Sequence, residues 1–163
     1  MSGVVVLIVN RVLPADPTAA VGAVLALTAH DRTRSRHRFM AEDGTPVLLN
    51  LPRGTVLRGN TWLSNDQNQH VRVVAKPEPV VVVTAESPLA LLRAAYHLGN
   101  RHVALEITPD CLKLEPDPVL EASAEPVGST HPSTPPPLPF EPEAGAYRQS
   151  DPHTHSHAHN YGA

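Results

Sequence analysis

The sequence predicts an α+β protein made of a small all-β domain, a second domain with both helix and strand, and a histidine-rich tail. Short segments rich in valine, leucine and threonine follow one another through the first 75 residues, separated by turn residues. A strand-helix-strand-strand order follows them. Ten of the 18 prolines lie at or after Pro116. The predicted boundaries are residues 1–75 for the first domain, 76–79 for a linker, 80–143 for the second domain and 144–163 for the tail.

The amino-acid composition argues against several classes of protein. Hydrophobic residues make up 41% of the chain, which is enough for a core, and the formal net charge is −3, whereas nucleic-acid binders usually carry a basic excess. A single cysteine, Cys111, excludes an intramolecular disulfide framework and a cysteine-rich zinc fold. The first apolar run lacks a basic segment before it and is too short to span a membrane. We therefore expect a cytoplasmic protein that binds neither nucleic acid nor membranes.

The first domain is predicted to be a small barrel or sandwich of short strands. Within residues 42–45, the Asp-Gly pair is typical of a hairpin turn. Residues 18–27 are alanine-rich but contain Gly22 and β-branched residues, so helix and strand both stay open there. The predicted strands are residues 4–9, 32–40, 47–51, 55–57 and 71–74.

The second domain begins after a stiff linker, because the consecutive X-Pro units of residues 76–79 favour extended backbone. Residues 80–84 predict a strand that is apolar on both faces and therefore buried. A helix follows, with Ser87 as N-cap, Pro88 at the first helical position and Gly99 at the C-terminus. Its apolar stripe consists of Leu89, Leu92, Ala95 and Tyr96, with Leu91 on its flank.

Two further strands are predicted at residues 103–107 and 111–114. The order strand, helix, strand, strand is the first part of a ferredoxin-like α+β sandwich. Completing that fold requires a second helix and a last strand. Residues 119–125 offer one short helix, and residues 126–150 predict extended or disordered chain because of their prolines.

The tail carries four histidines that alternate with small residues. In an extended chain every other side chain points to the same side, so four imidazoles can converge on one or two ions. Neutral imidazole suits nickel, copper and zinc, and is a poor ligand for magnesium or calcium. The interleaving differs from the unbroken histidine run of a purification tag. The predicted metal ligands of the tail are His153, His155, His157 and His159.

A second group of candidate ligands surrounds the end of the predicted helix. His97 lies in the last helical turn, where its protonated form favours the negative end of the helix dipole, so a capping role is more frequent than metal binding. His102 lies in the following loop, where functional residues are common. A lone imidazole holds an ion weakly, but a two-fold axis would place a second copy opposite it. Cys111 is either a small buried residue or a softer additional ligand.

These segments resemble one family. The run LALLRAAYHLGNRHVALEI, residues 89–107, is similar to the signature of the urease accessory nickel metallochaperones, the UreE family. Further matching segments in the same order are residues 27–38, 51–59, 71–83, 114–121 and 139–147.

The resemblance implies a homodimer in which the histidine matching His102 from each subunit shares one nickel ion. It also implies delivery of nickel to the urease apoprotein with a partner GTPase and other accessory proteins, and a tail that supplies auxiliary ligands. Zinc and copper compete for the same ligands. Some members carry a His-Asp-His element where this chain has Pro116-Asp117-Pro118, so that peripheral site is expected to be missing.

One basic feature of the first domain predicts partner binding. Arg32, Arg34, Arg36 and Arg38 share one parity, so a strand there places four guanidiniums on a single face. One interpretation is that this face binds carboxylates of a partner protein. The other is that the face is solvated and its arginines form local ion pairs. The family resemblance favours partner binding.

Two other functions stay open: a general buffer or store for metal ions, and a peptide-binding chaperone module built on the β domain. An enzyme is not predicted, because the sequence lacks a nucleophile–base motif, a phosphate loop and an HExxH-like element.

Overall fold

The computed structural model describes residues 5–15, 18, 20–118 and 130–143. These residues contain three β-sheets and the helix α1 (Pro88–Asn100). The strands are β1 (Leu7–Val9), β2 (Arg11–Leu13), β3 (Ala23–Leu27), β4 (Arg36–Met40), β5 (Pro46–Asn50), β6 (Trp62–Ser64), β7 (His70–Ala75), β8 (Val81–Ala85), β9 (Leu105–Ile107), β10 (Leu112–Leu114) and β11 (Thr130–Ser133).

The first part of the chain packs a three-stranded sheet, in the order β1-β5-β4, against a four-stranded sheet, in the order β2-β6-β7-β3. The chain passes from one sheet to the other at Asn10, between β1 and β2. Alternating burial along β3 and β7 sends every other side chain inward, as a half-buried strand requires. The shared core includes Leu7, Val9, Leu25, Val47, Leu49, Leu63, Val71 and Val73.

The strand predictions for this part are confirmed in part. β5 and β7 lie at the predicted positions, and the predicted turn joins β4 to β5, with Gly44 at a φ of 83°. The strand predicted at residues 55–57 is wrong, because these residues form no strand between the turns at 53–54 and 59–60, and the next strand is β6. Within the undecided residues 18–27, β3 begins at Ala23 and pairs in parallel with β7.

The prediction of a strand that starts at Arg32 is also wrong. Asp31–Thr33 forms one turn of 3-10 helix, and β4 begins only at Arg36. The Arg32 amide donates to the Thr28 carbonyl at 3.0 Å, and the Arg32 side chain is 2% exposed. Arg32 therefore does not share a face with the three arginines that follow it.

The second part of the chain is a four-stranded antiparallel sheet in the order β11-β8-β10-β9, with α1 packed on one face. The predicted strands at residues 80–84, 103–107 and 111–114 are confirmed as β8, β9 and β10. Helix α1 buries Leu91 and Ala94 against Leu112 at the centre of this sheet.

The chain near residue 130 is extended, which is one of the two predicted alternatives, and it joins the sheet. Thr130–Ser133 forms the edge strand β11, whose Pro132 lies opposite Val83 of β8. An edge strand tolerates proline because the missing amide faces away from the ladder. The short helix predicted at residues 119–125 lies outside the described residues.

Residues 138–143, which we call the strap, cross between the two parts of the chain. Glu78 and Leu138 exchange two backbone hydrogen bonds of 2.9 and 3.0 Å. Phe140 is fully buried against Ala29 of the first part and Val80 of the second. The strap therefore packs on both parts at once.

Candidate metal centre

The two histidines of the second predicted group of ligands lie at the end of helix α1. His97 is in the helix, and His102 follows its last residue by two positions. The start of α1 follows the prediction: the Ser87 hydroxyl accepts a hydrogen bond from the Ala90 amide at 3.2 Å, and Pro88 occupies the first turn. Because proline lacks an N–H and has a helical φ, it costs nothing at this position. The helix start is therefore fixed by local sequence alone.

The helix end differs from the prediction, because α1 passes through Gly99 and ends at Asn100. The His102 amide donates to the Gly99 carbonyl at 2.9 Å, and the Val103 amide donates to the Leu98 carbonyl at 3.2 Å. This pair of hydrogen bonds is the Schellman motif, which places the residue at position 102 in the left-handed conformation. His102 indeed has a φ of 59°.

His102 thus occupies a backbone conformation that favours glycine. A left-handed conformation costs an L-residue about 1–2 kcal/mol. The side chain is exposed and has no hydrogen-bonding partner among the described residues, so local contacts do not offset that cost. Backbone strain at an exposed imidazole is the kind of outlier from which a functional hypothesis can start.

Helix α1 has two apolar faces, one buried in its own subunit and one exposed to solvent. Leu89, Leu92 and Tyr96 are 56%, 66% and 66% exposed, at the i, i+3 and i+7 spacing of one helix face. The buried face is made by other residues, among them Leu91 and Ala94. A helix of a single isolated subunit usually has one apolar face, so this second face suggests a partner.

The two secondary candidate ligands lie in different places. His97 is exposed, and its ring lies edge-on to Tyr96 with ring centroids 5.4 Å apart. Cys111 lies in the hairpin between β9 and β10, where its amide donates to the Thr108 hydroxyl at 3.0 Å and its Sγ lies 3.2 Å from the same oxygen. Because β9 separates this hairpin from His102, the fold does not bring Cys111 to His102.

Within residues 5–15, 18, 20–118 and 130–143, no three His, Cys, Asp or Glu side chains form a group able to hold a metal ion. The predicted tail ligands, His153, His155, His157 and His159, lie outside the described residues. Any tight site that uses His102 therefore needs ligands from a second subunit or from residues outside the described part of the chain, such as the tail.

The end of the strap is hydrogen-bonded to β9, the strand that follows His102. Glu143, at the end of the described strap, donates its amide to the Leu105 carbonyl at 2.7 Å. Leu105 is the first residue of β9 and follows His102 by three positions. The last described residue of the strap therefore lies beside β9, the strand that His102 precedes.

The sequence pattern did not indicate the acidic residues at the junction of the two parts. Glu141 pairs with the buried Arg32 at 2.8 Å, and the Glu78 carboxylate accepts a hydrogen bond from the Ala29 amide at 2.7 Å. Burial raises the pKa of Glu78, while that hydrogen bond acts in the opposite direction. One sequence feature did include Glu141, namely the segment of residues 139–147 that matches the UreE family. That match did not indicate what Glu141 contacts.

Comparison with known proteins matches nearly the whole chain to one family. The family model for the N-terminal domain of the UreE urease accessory protein matches residues 9–76, and the model for its C-terminal domain matches residues 78–162. The chain belongs to the UreE family of urease accessory proteins. The resemblance found in the sequence is therefore confirmed.

Individual UreE proteins align with this chain over most of their length. The urease accessory protein UreE of Nostoc punctiforme is 52% identical over 151 residues, which cover 92% of this chain and 97% of the relative. The UreE protein of another Nostoc strain is 48% identical over 148 residues, 90% of this chain and 99% of the relative. A third, from Acinetobacter baumannii, is 44% identical over 131 residues, 80% of this chain and 79% of the relative.

Membership of the UreE family assigns the protein an accessory role in urease maturation, and with it a role in metal handling. The family is one of accessory proteins and is distinct from the urease enzyme itself. Within the described residues, no helix has both the length and the apolar character that crossing a bilayer requires.

Proposed function

We propose that the protein is a cytoplasmic nickel metallochaperone: a homodimer holds one nickel ion between the two copies of His102 and delivers it to the urease apoprotein. The observation that carries this proposal is the exposed, left-handed His102 at the end of a helix whose outward face is apolar. The urease-maturation GTPase and the accessory complex of urease are the proposed partners in delivery.

The homodimer is supported by the position of the exposed stripe. In a two-fold dimer the same patch covers itself, so a stripe on one copy of α1 packs on the same stripe of the other. Leu89, Leu92 and Tyr96 run along the helix toward the end that carries His102. A two-fold axis running alongside α1 would pack each stripe on its copy and bring together the two helix ends that carry His102.

The tail histidines complete or exchange the coordination sphere in this proposal. Two imidazoles leave open positions on the ion, and exchangeable ligands allow its release, whereas a closed four-ligand protein site would hold it. His153 lies ten positions after Glu143, and a flexible chain of that length reaches roughly 15–20 Å. Of the secondary candidates, His97 lies on the helix that ends at His102, whereas Cys111 lies beyond β9 and is the weaker candidate. Nickel itself is proposed from the family, since zinc and copper accept the same ligands.

We further propose that the second domain is a ferredoxin-like metal-binding domain. The order β11-β8-β10-β9, numbered within the domain, is 4-1-3-2, with α1 as the connection between its first and second strands. The second helix of such a fold would fall between β10 and β11, in residues 119–129, which lie outside the described part of the chain.

Three arginines of the first domain are proposed to dock an acidic partner surface. Arg34, Arg36 and Arg38 are exposed, and Arg36 and Arg38 have no carboxylate within 4.0 Å among the described residues. Arg34 has Asp31 at that distance. Guanidiniums without local acidic partners are available for carboxylates of another protein. Arg32, which was predicted to join this face, is buried and is not part of the surface.

Charge reversal tests the docking surface. We expect Arg36→Glu with Arg38→Glu to weaken binding to the urease apoprotein–accessory complex about tenfold at 0.1 M salt, and less at higher salt, because surface charges act mainly on the association rate and are screened. Surface plasmon resonance measures both effects. Arg53→Glu, which reverses an exposed arginine in the turn before Gly54, is the control. Equal loss in the control would contradict a specific docking face.

Activation of urease tests the proposed function as a whole. In a strain that lacks this gene and grows in limiting nickel, we expect the wild-type gene to restore urease activity and His102→Ala to restore less than about a tenth of it. The chain with all four tail histidines replaced by alanine should fall between them. A metal buffer would bind nickel without restoring urease, and a peptide-binding module would act equally well with His102→Ala. Either result would replace the proposal.

A further inference from the structure

Gly99 has no local reason to be glycine in a single subunit. It lies inside α1, one residue before the helix ends. The described glycines with a positive φ are Gly44 and Gly54, so Gly99 needs no left-handed conformation. A Cβ at position 99 would meet no described atom within 4 Å beyond its chain neighbours and the helix backbone. Alanine would therefore fit, although glycine in a helix lowers the folding equilibrium constant about two- to fivefold relative to alanine.

The usual role of a glycine at a helix end belongs to another residue here. Glycine is favoured where the chain turns left-handed after the helix. In α1 that residue is His102, with a φ of 59°, and its amide donates to the Gly99 carbonyl at 2.9 Å. Histidine thus stands where glycine is favoured, and glycine stands where alanine is favoured. Both departures from local preference lie at the candidate metal centre.

Gly99 lies on the exposed side of α1. It follows Leu92 by seven positions and Tyr96 by three, which is the spacing of one helix face. It is itself exposed, whereas Leu91 and Ala94 form the buried side of the helix. Gly99 therefore continues the exposed stripe to the end of the helix nearest His102, but without a side chain.

A shared ion requires the two helix ends to come close together. Imidazole nitrogens bind a divalent ion of this kind at about 2.0–2.1 Å, so two nitrogens on one ion lie no more than about 4 Å apart. Packed helices usually have axes about 8–10 Å apart, and the distance depends on the side chains at the contact. A large side chain between the ends would hold the two copies of His102 apart.

We propose that Gly99 is a positioning residue of the shared nickel site: its missing side chain lets a second copy of the chain approach the end of α1 so closely that both copies of His102 reach one ion. This inference rests on the proposed function, because it assumes the homodimer and the paired imidazoles. Gly99 does not touch the ion. It acts by setting the separation of the two helix ends.

The size of the effect follows from overpacking. Adding methylene or methyl groups to a closely packed contact weakens it about 5- to 150-fold. A two-fold axis places the added group of Gly99→Ala in both copies. We therefore expect Gly99→Ala to weaken the shared nickel site about tenfold and Gly99→Leu to weaken it at least about 100-fold.

The test measures nickel binding in the chain whose four tail histidines are alanine, so that only the interface site is observed. Chelator competition gives the affinity, X-ray absorption spectroscopy counts imidazoles per nickel, and sedimentation velocity shows which protein concentrations maintain the dimer. At those concentrations, Gly99→Ala should lower both the affinity and the imidazole count. Asn100→Ala is the control, since it raises helix propensity at the next position without adding bulk, and it should bind nickel as the parent chain does.

The stability of the single subunit separates positioning from a folding defect. In the Leu92→Glu background, where the stripe cannot pack on its copy, Gly99→Ala should raise the Tm of the metal-free protein by roughly 2 °C. A lower Tm would mean that the subunit itself needs this glycine, and the inference would be wrong. Equal loss of nickel binding in Asn100→Ala would also overturn it, because a stiffer helix end would then be the cause.

Failure of the inference can be distinguished from failure of the proposed function. Parental affinity and imidazole count in Gly99→Ala would overturn the inference alone, provided that Leu92→Glu dissociates the dimer and His102→Gly loses the ion. If Leu92→Glu stays dimeric or His102→Gly keeps the ion, the proposed site itself is wrong. Both of these variants leave Gly99 unchanged, so they test the proposed function independently.

Discussion

Replacing His102 by glycine is expected to make the metal-free protein more stable while removing its tight nickel site. The stability change follows from the left-handed φ of 59° at position 102. Glycine adopts this conformation without the cost of about 1–2 kcal/mol that an L-residue has there, and its greater freedom in the unfolded chain offsets part of the gain. We expect a net gain of about 0.5–1 kcal/mol.

Alanine at the same position separates the two effects. The His102→Ala variant would keep the cost of the left-handed conformation and lose the imidazole, so it should be no more stable than the wild type. Both variants should lose tight binding. Loss of a residue that only supports a ligand costs about 10–100-fold in metal affinity, so loss of both shared imidazoles should cost at least about 100-fold.

The measurement uses the chain whose four tail histidines are alanine, so that only the interface site is observed. Chemical denaturation with a chelator present gives the free energy of unfolding, because bound metal would itself stabilise the folded state. Chelator competition gives the nickel affinity. Wild-type affinity in His102→Gly would rule out His102 as the ligand. A less stable glycine variant would contradict the described helix end. His97→Ala, on the same helix, shows whether that histidine adds a ligand.

The sequence predicted those features of the fold that depend on neighbouring residues. The start of α1 follows from Ser87 and Pro88, which act within a single turn. The hairpin at Gly44 follows from a local conformational preference. β8 follows from a continuous apolar run. In each case the determining contacts lie within a few residues along the chain.

The features that the sequence did not predict depend on distant contacts. Arg32 has the parity of a strand residue, but its guanidinium pairs with Glu141, 109 positions later, and the local backbone forms a 3-10 turn instead. The end of α1 is an exception, because its contacts are local: the sequence predicted a helix end at Gly99, and the Schellman hydrogen bonds place the left-handed residue three positions later, at His102. Trp62–Ser64 became a strand because it pairs with both β2 and β7.

The sequence likewise predicted some features of the candidate site and not others. His102 was found through its motif, whereas its backbone strain and the exposure of the stripe beside it required coordinates. An apolar stripe at helical spacing normally packs on the core of its own subunit. On α1 the core is reached by the other face, through Leu91 and Ala94. Only the structure therefore shows that Leu89, Leu92 and Tyr96 are left exposed.

Leu92→Glu is expected to separate the proposed dimer into folded subunits that have lost the shared nickel site. Leu92 is 66% exposed, so a carboxylate there remains solvated in a single subunit and should leave its stability nearly unchanged. In the dimer the same carboxylate would be buried in an apolar contact. Desolvating a charge costs several kcal/mol, and a two-fold axis repeats the cost in the second copy, so the dimer dissociation constant should rise at least about 100-fold.

Sedimentation velocity over a range of protein concentrations measures the dissociation constant, and chelator competition at the same concentrations measures nickel binding. The matched control is Val56→Glu, which places the same charge on a valine that is 47% exposed in the first domain. The control should remain dimeric and bind nickel as the wild type does. His102→Gly should lose the metal but keep the dimer, because the apolar stripe is intact. If Leu92→Glu stayed dimeric at micromolar concentration, the outward face of α1 would not be the interface, and the two copies of His102 would need another route to a common ion.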